Sequence, residues 1–240
     1  MSDRATSRSI SHGAEQLLGK VFKIHELGEL ELVDYMGDER AIARAARTSY
    51  QGSEGKSAEA DLKLIRRLWV DKHTSPFEMV VLTFRILLPI FVMRQHVRHR
   101  TASLNEWSFR YTKCPDLFFV PAMDNVRTQH KSNKQMSGAN LETESASEAR
   151  EKINKLNKDA YRTYLELLNM GVAREQARVV LPVSAYTQII WKCDMRNLLG
   201  YLRLRLAPDA QKEIRDYAGV IADIVKKGWP MIWEAYEETS

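Results

Sequence analysis

Residues 98–111, RHRTASLNEWSFRY, hold the densest set of chemically capable side chains in the chain. Arg98, His99, Arg100 and Arg110 supply positive or titratable groups, and Glu106 supplies a carboxylate. Ser103, Asn105 and Ser108 supply hydroxyls and an amide, with Trp107 and Phe109 between them. No helical or strand period explains this order, because the apolar positions are too sparse. Such a segment is buried only if something pairs with its donors and acceptors. An anionic, planar, hydrogen-bonding ligand would do that. The other reading is a solvated basic loop, since charge runs usually face water.

Several chemistries compete for these residues. His96 and His99, with His73, have metal-ligand side chains. Their neighbours Arg94, Arg98 and Arg100 would repel a cation, so no metal is expected. A serine hydrolase needs its nucleophile on a strained, glycine-bearing turn, and residues 98–111 contain no glycine. Cys114 is a nucleophile only if nearby cations stabilise its thiolate; otherwise it is a small half-buried residue. A single-stranded nucleic-acid module would also interleave cations with aromatic rings such as Trp107, Phe109 and Tyr111. Glu106 opposes that, because it would repel a phosphate backbone. A carboxylate among arginines suits a nucleotide or cofactor better, where it accepts an N–H or a sugar hydroxyl.

The elements that must position these groups are legible in outline. Residues 1–18 read as a flexible terminus. Residues 21–37 show short strand-like runs broken by Gly28 and Gly37, and residues 38–47 read as a helix. A second helix spans about 58–71, with Leu62, Ile65, Leu68 and Trp69 on helical spacing. Residues 79–88, MVVLTFRILL, read as a buried strand. Pro89 ends it and opens a helix over about 90–98, which would place Arg94 and Arg98 on one face. The run at 98–111 then starts at a helix end and continues as a loop or edge strand. Residues 124–149 are polar and read as a surface loop insertion. Helices are expected at about 147–170, ended by Gly171, and at 174–180. A strand is expected over 185–193. Asp194 caps a helix to about 206, and Asp209 caps a final long one. The fold class is α+β: helices packed on a modest mixed or antiparallel sheet in a single domain over 19–240. There is no GxGxxG or GxxxxGK[ST] loop.

Whole-chain properties are permissive. The 240 residues suit one large domain, and the net charge of +5 favours anionic ligands. Two cysteines argue against a disulfide framework. No apolar run is long enough to span a membrane and no signal core is visible, so a cytoplasmic protein without membrane or nucleic-acid partners is expected.

RHRTASLNEWSFRY matches all nine fixed positions of RHRxxSxNExSxRY, the motif of flavin-dependent thymidylate synthases. Residues 73–100 (HTSPFEMVVLTFRILLPIFVMRQHVRHR), 171–182 (GVAREQARVVLP) and 197–205 (NLLGYLRLR) resemble further segments of that family, so the likeness covers about 40–235. The resemblance implies a homotetramer with active sites at subunit interfaces and FAD as cofactor. It implies conversion of dUMP to dTMP, with methylenetetrahydrofolate as carbon donor and NADPH as reductant, and no catalytic cysteine. By resemblance Arg205 is catalytic, stabilising negative charge on the pyrimidine. Gln95, Arg98, Glu106, Trp107, Ser108, Phe109, Arg110 and Arg178 join it in holding dUMP. FAD would meet His73, Ser75, Arg98, His99, Arg100, Asn105, Glu106, Asp194, Arg196 and Gly200. Three positions depart from the family: Gly200 where Asn or His is frequent, Asp209 where His is frequent, and Asp194 where Asn is common. These departures predict altered, weaker FAD contacts. A relative acting on UMP, or one installing hydroxymethyl, is the alternative.

Overall fold

The computed structural model describes residues 8–49 and 57–239. Its centre is a five-stranded sheet in the order β1-β2-β3-β7-β4. The strands are β1 (Val21–Ile24), β2 (Gly28–Met36), β3 (Val81–Pro89), β4 (Ser103–Glu106) and β7 (Tyr186–Asp194). Every strand pairing in it is antiparallel. Strand side chains alternate between faces. Here Leu30, Leu32, Leu82, Phe84, Ile86, Leu88, Ile189, Trp191 and Cys193 all bury on one face. The run at 79–88 therefore alternates rather than burying on both sides. Arg85, facing the other way, is exposed and pairs with Glu31.

Helices α2 (Glu39–Thr48), α3 (Ala58–Val70), α7 (Met195–Arg205), α8 (Lys212–Gly228) and α9 (Pro230–Glu237) contribute to this core. α8 fits because Ile214, Tyr217, Ala218, Ile221, Ala222 and Val225 recur at three- and four-residue spacing and are buried. Gly28 lets α8 approach the sheet: a Cβ there would lie 2.2 Å from the Tyr217 hydroxyl. That hydroxyl donates to the Leu87 carbonyl at 2.8 Å. A second apolar cluster, with Phe109, Cys114, Tyr164, Ala177 and Ala185, ties the segment after β4 to α5 (Thr143–Asn169) and α6 (Arg174–Ala177).

Four expectations change. Within residues 8–18, Ala14 and Leu17 are buried in the core, while 1–7 lie outside the described residues. A short α1 (His12–Glu15) is capped by Ser11, whose hydroxyl also donates to the Gly228 carbonyl at 2.5 Å. The polar stretch 124–149 is not a plain loop. It contains a hairpin, β5 (Arg127–Gln129) with β6 (Ser137–Asn140), and the opening turns of α5. Those turns carry few apolar residues, so periodicity did not reveal them. α4 (Ile90–His96) stops before Arg98, which removes the shared helical face expected for Arg94 and Arg98. Finally, α8 starts at Lys212, and exposed Asp209 sits in the preceding turn without capping it.

Candidate active site

The 98–111 run begins just past α4, forms edge strand β4, and then turns over the second apolar cluster. Among the described residues β4 pairs only with β7, from Ser103 opposite Lys192 to Glu106 opposite Ile189. The Trp107 amide extends the ladder by donating to the Gln188 carbonyl at 2.9 Å. Thr187 is fully buried and its hydroxyl donates to Glu106 Oε1 at 2.8 Å, which aims an otherwise exposed carboxylate. Phe109 buries and anchors the next turn. There the amides of Tyr111 and Thr112 donate to the Ser108 carbonyl at 3.0 and 3.1 Å. Arg110 leaves this turn and pairs with Glu175 at 3.1 Å. Arg178 lies one turn after Glu175, exposed, and its guanidinium has no partner among the described residues.

Arg205 ends α7 and reaches back to the end of α4. Its Nε donates to His99 Nε2 at 2.9 Å, and its Nη2 donates to the Gln95 carbonyl at 2.9 Å. The carbonyls at a helix C-terminus carry partial negative charge, which favours a cation there. Gln95 hydrogen-bonds by its side chain to Gln211. His99 is held neutral: burial first, then the Arg205 charge, push its pKa down to about 4. A neutral ring is what the Nε2 acceptor role requires. Behind it His96 is fully buried against Trp191 and Tyr201, and its pKa is pushed down to about 3, chiefly by burial.

A cleft of about 340 Å³ opens beside His99, lined also by Arg100, Arg196, Gly200 and Arg203. Arg196 donates to Glu78 at 2.5 Å, linking α7 to the turn after Ser75. An added Cβ at Gly200 would meet nothing within 4 Å. His73 and Ser75 line a separate cleft of about 390 Å³ with Arg47 and Arg67. Asp194 spends its carboxylate at the start of α7, accepting from the Asn197 amide at 3.0 Å and its side chain at 2.7 Å. That is the helix cap the sequence predicts.

The donor set fits a flavin dinucleotide. Arg98 and Arg100 are exposed, and their guanidinium groups have no partner among the described residues, so they are free for a diphosphate. Gly200 leaves room. Ligand pockets run roughly 300–1,000 Å³, so the His99 cleft accommodates part of such a molecule and the rest needs further surface. Among the described residues no group of three or more His, Cys, Asp or Glu could hold a metal. Burial pushes the thiols of Cys114 and Cys193 up to about 12, so neither is a poised thiolate.

The structure thus joins Gln95, His99 and Arg205 in one corner, His99, Arg100, Arg196 and Gly200 in one cleft, and Glu106 to Arg110 along one strand and turn. It leaves His73 and Ser75 in another cleft. The partners Glu78, Thr187, Glu175, Tyr201 and Gln211 are not among the residues that the sequence singles out. Glu78 lies within the HTSPFE segment, a local signal; the others carry none, because the fold brings them in.

Comparison with known proteins identifies the chain's relatives. Residues 31–231 match the family described as thymidylate synthase complementing protein. A flavin-dependent thymidylate synthase of Thermus thermophilus is 51% identical over 211 residues, covering 88% of this chain and 76% of that protein. One from Ehrlichia ruminantium is 42% identical over 238 residues, covering 99% of this chain and 80% of that one. A crystal structure of a UMP/dUMP methylase from Streptomyces cacaoi, bound with 5-Br dUMP, superposes with a TM-score of 0.82 at 32% identity. That match covers 90% of this chain and 97% of the other. The motif, the sheet that presents it and these matches together place the chain in the flavin-dependent thymidylate synthase family.

Proposed function

We propose that this flavin-dependent thymidylate synthase converts dUMP to dTMP with methylenetetrahydrofolate as carbon donor, NADPH as reductant and FAD as resident cofactor. We further propose that its sites form at the interfaces of a homotetramer. The observation that carries the chemistry is the held guanidinium of Arg205. Two of its N–H groups are spent inward on His99 and Gln95, which fixes its plane. The remaining N–H groups are left for the pyrimidine edge, where negative charge develops as C5 is activated. Arginine keeps its charge at any working pH. A donor fixed in advance where charge develops is worth about 3–4 kcal/mol of barrier.

The other groups divide by ligand chemistry. Ser108, the Phe109 backbone, Arg110 and Arg178 suit the dianionic phosphate. An exposed ion pair such as Arg110–Glu175 is worth only about 0–1 kcal/mol, so a phosphate displaces it readily. Gln95, Arg98, Glu106 and Trp107 suit the base and sugar. His73, Ser75, Arg98, His99, Arg100, Asn105, Glu106, Asp194, Arg196 and Gly200 would hold FAD. When bound, the flavin supplies hydride, which no side chain can do. The division of these residues between two clefts and a strand edge supports completion of each site by a second subunit.

A methylase that also accepts UMP is the second reading, favoured by the similarity to the Streptomyces UMP/dUMP methylase. Purified protein with FAD, NADPH and methylenetetrahydrofolate should release tritium from [5-³H]dUMP and much less from [5-³H]UMP. Equal release would favour the second reading, and release from neither would refute both.

A further inference from the structure

Two acceptors hold the Arg205 guanidinium from behind. The Gln95 carbonyl is fixed by the end of α4. His99 Nε2 belongs to a side chain in the loop after α4, and its ring makes no other hydrogen bond among the described residues. Packing must therefore set the ring's orientation. Tyr201 meets it edge-on, with ring centroids 4.7 Å apart and planes at 73°. Tyr201 precedes Arg205 by four residues on α7, so the two share a helical face. It is fully buried and is braced by Trp191 at 5.3 Å and His96 at 5.0 Å between centroids. Its hydroxyl is also buried, with no hydrogen-bond partner among the described residues. What Tyr201 offers is a rigid ring wall.

We propose that Tyr201 is a positioning residue for Arg205, acting through the His99 ring it clamps. This rests on the role assigned to Arg205 above. A 1 Å misplacement of a fixed group can cost on the order of 100-fold in rate. The test compares Tyr201→Phe, Tyr201→Met, His99→Gln, the double variant Tyr201→Met/His99→Gln, and Arg205→Ala as reference. Each is measured for kcat, dUMP KM, FAD content by absorbance, and Tm. Tyr201→Phe keeps the ring and should stay within about twofold of the parent in kcat, whereas Tyr201→Met should lose about 10- to 100-fold. The Tyr201→Met loss should fall on kcat far more than on dUMP KM or FAD content, because a shifted ring tilts the Arg205 plane without removing a side chain that meets either ligand. The double variant should be no more than about twofold worse than His99→Gln alone, as coupled residues require. Wild-type kcat in Tyr201→Met, equal impairment in Tyr201→Phe, or multiplicative losses in the double variant would overturn the proposal. Should Tyr201→Met fail to fold, arginine-labelled wild-type enzyme decides by NMR. The Arg205 Nε proton should exchange slowly, and exchange as fast as that of exposed Arg94 would overturn it. Full activity in Arg205→Ala would instead strike at the assigned role of Arg205.

Discussion

At the scale of single residues, buried His96 and half-buried His99 make a stability prediction with a definite sign. His96 and His99 both have folded pKa values below the ordinary 6.5, about 3 and about 4. Between those values and 6.5 the unfolded chain binds protons that the native one does not, so stability rises with pH across that window. It is present in full above about 6.5 and is lost as pH falls toward 4. For wholly buried His96 the slope approaches about 1.4 kcal/mol per pH unit. Its ring nitrogens have no hydrogen-bond partner among the described residues, and unsatisfied buried polar atoms are costly. His96→Leu should therefore flatten the acid limb of a urea-denaturation profile measured from pH 7.5 to 5, with little loss at pH 7.5. An unchanged slope would contradict it. Gly200 makes a second prediction. It lies inside α7 with open space where a side chain would project. Gly200→Asn should relieve about 0.5 kcal/mol of helix cost and add one hydrogen bond to FAD, tightening the flavin about fivefold. Flavin titration monitored by protein fluorescence would register it; weaker binding would count against the cleft.

At the scale of elements, β4 is the decisive piece. It is four residues long, at the sheet edge, and carries Asn105 and Glu106. Thr187 on β7 sets the Glu106 carboxylate from beneath. Thr187→Val keeps the shape and loses that bond, worth about 1 kcal/mol, so the dUMP KM should rise about fivefold while Tm moves little. A KM unchanged in steady-state assays would remove Thr187 from the site. Such a partner could not be read locally, because the pairing of residues 103–106 with 189–192 is long-range. What could be read was whatever carries its own period or punctuation. A run of branched and aromatic residues marked β3, though not its alternation between faces, Asp194 marked the start of α7, and Pro89 marked the strand-to-helix change. The hairpin at 127–140 and the early turns of α5 lacked apolar periodicity and passed as loop. α4 looked longer than it is, because Arg98 continues a helical spacing that the chain abandons at His96. The nine-position motif made the chemistry legible far better than the geometry, since it names residue types but not the partners that aim them.

At the scale of the whole molecule, the candidate site residues are spread from His73 to Arg205 and settle in separate places. Arg205 closes one corner with Gln95 and His99, whereas Arg178 stands by the Arg110–Glu175 pair on a different apolar cluster. If subunits complete one another's sites, mixing inactive Arg178→Ala and Arg205→Ala enzymes after dissociation and reassociation should restore about a quarter of wild-type activity or less, as symmetric assemblies with shared sites allow. No recovery in verified mixed oligomers would mean that each chain builds its site alone. Among the described residues no helix is long and apolar enough to cross a membrane. On the proposed chemistry, Arg205 drives C5 methylation of dUMP. This role is tested most directly by quantifying dTMP by mass spectrometry from wild-type and Arg205→Ala enzyme matched for FAD content. The wild type should form dTMP only with dUMP, methylenetetrahydrofolate and NADPH all present, and Arg205→Ala should be slower by about 100- to 1,000-fold. Equal dTMP formation by the two enzymes, or none by the wild type, would contradict the account.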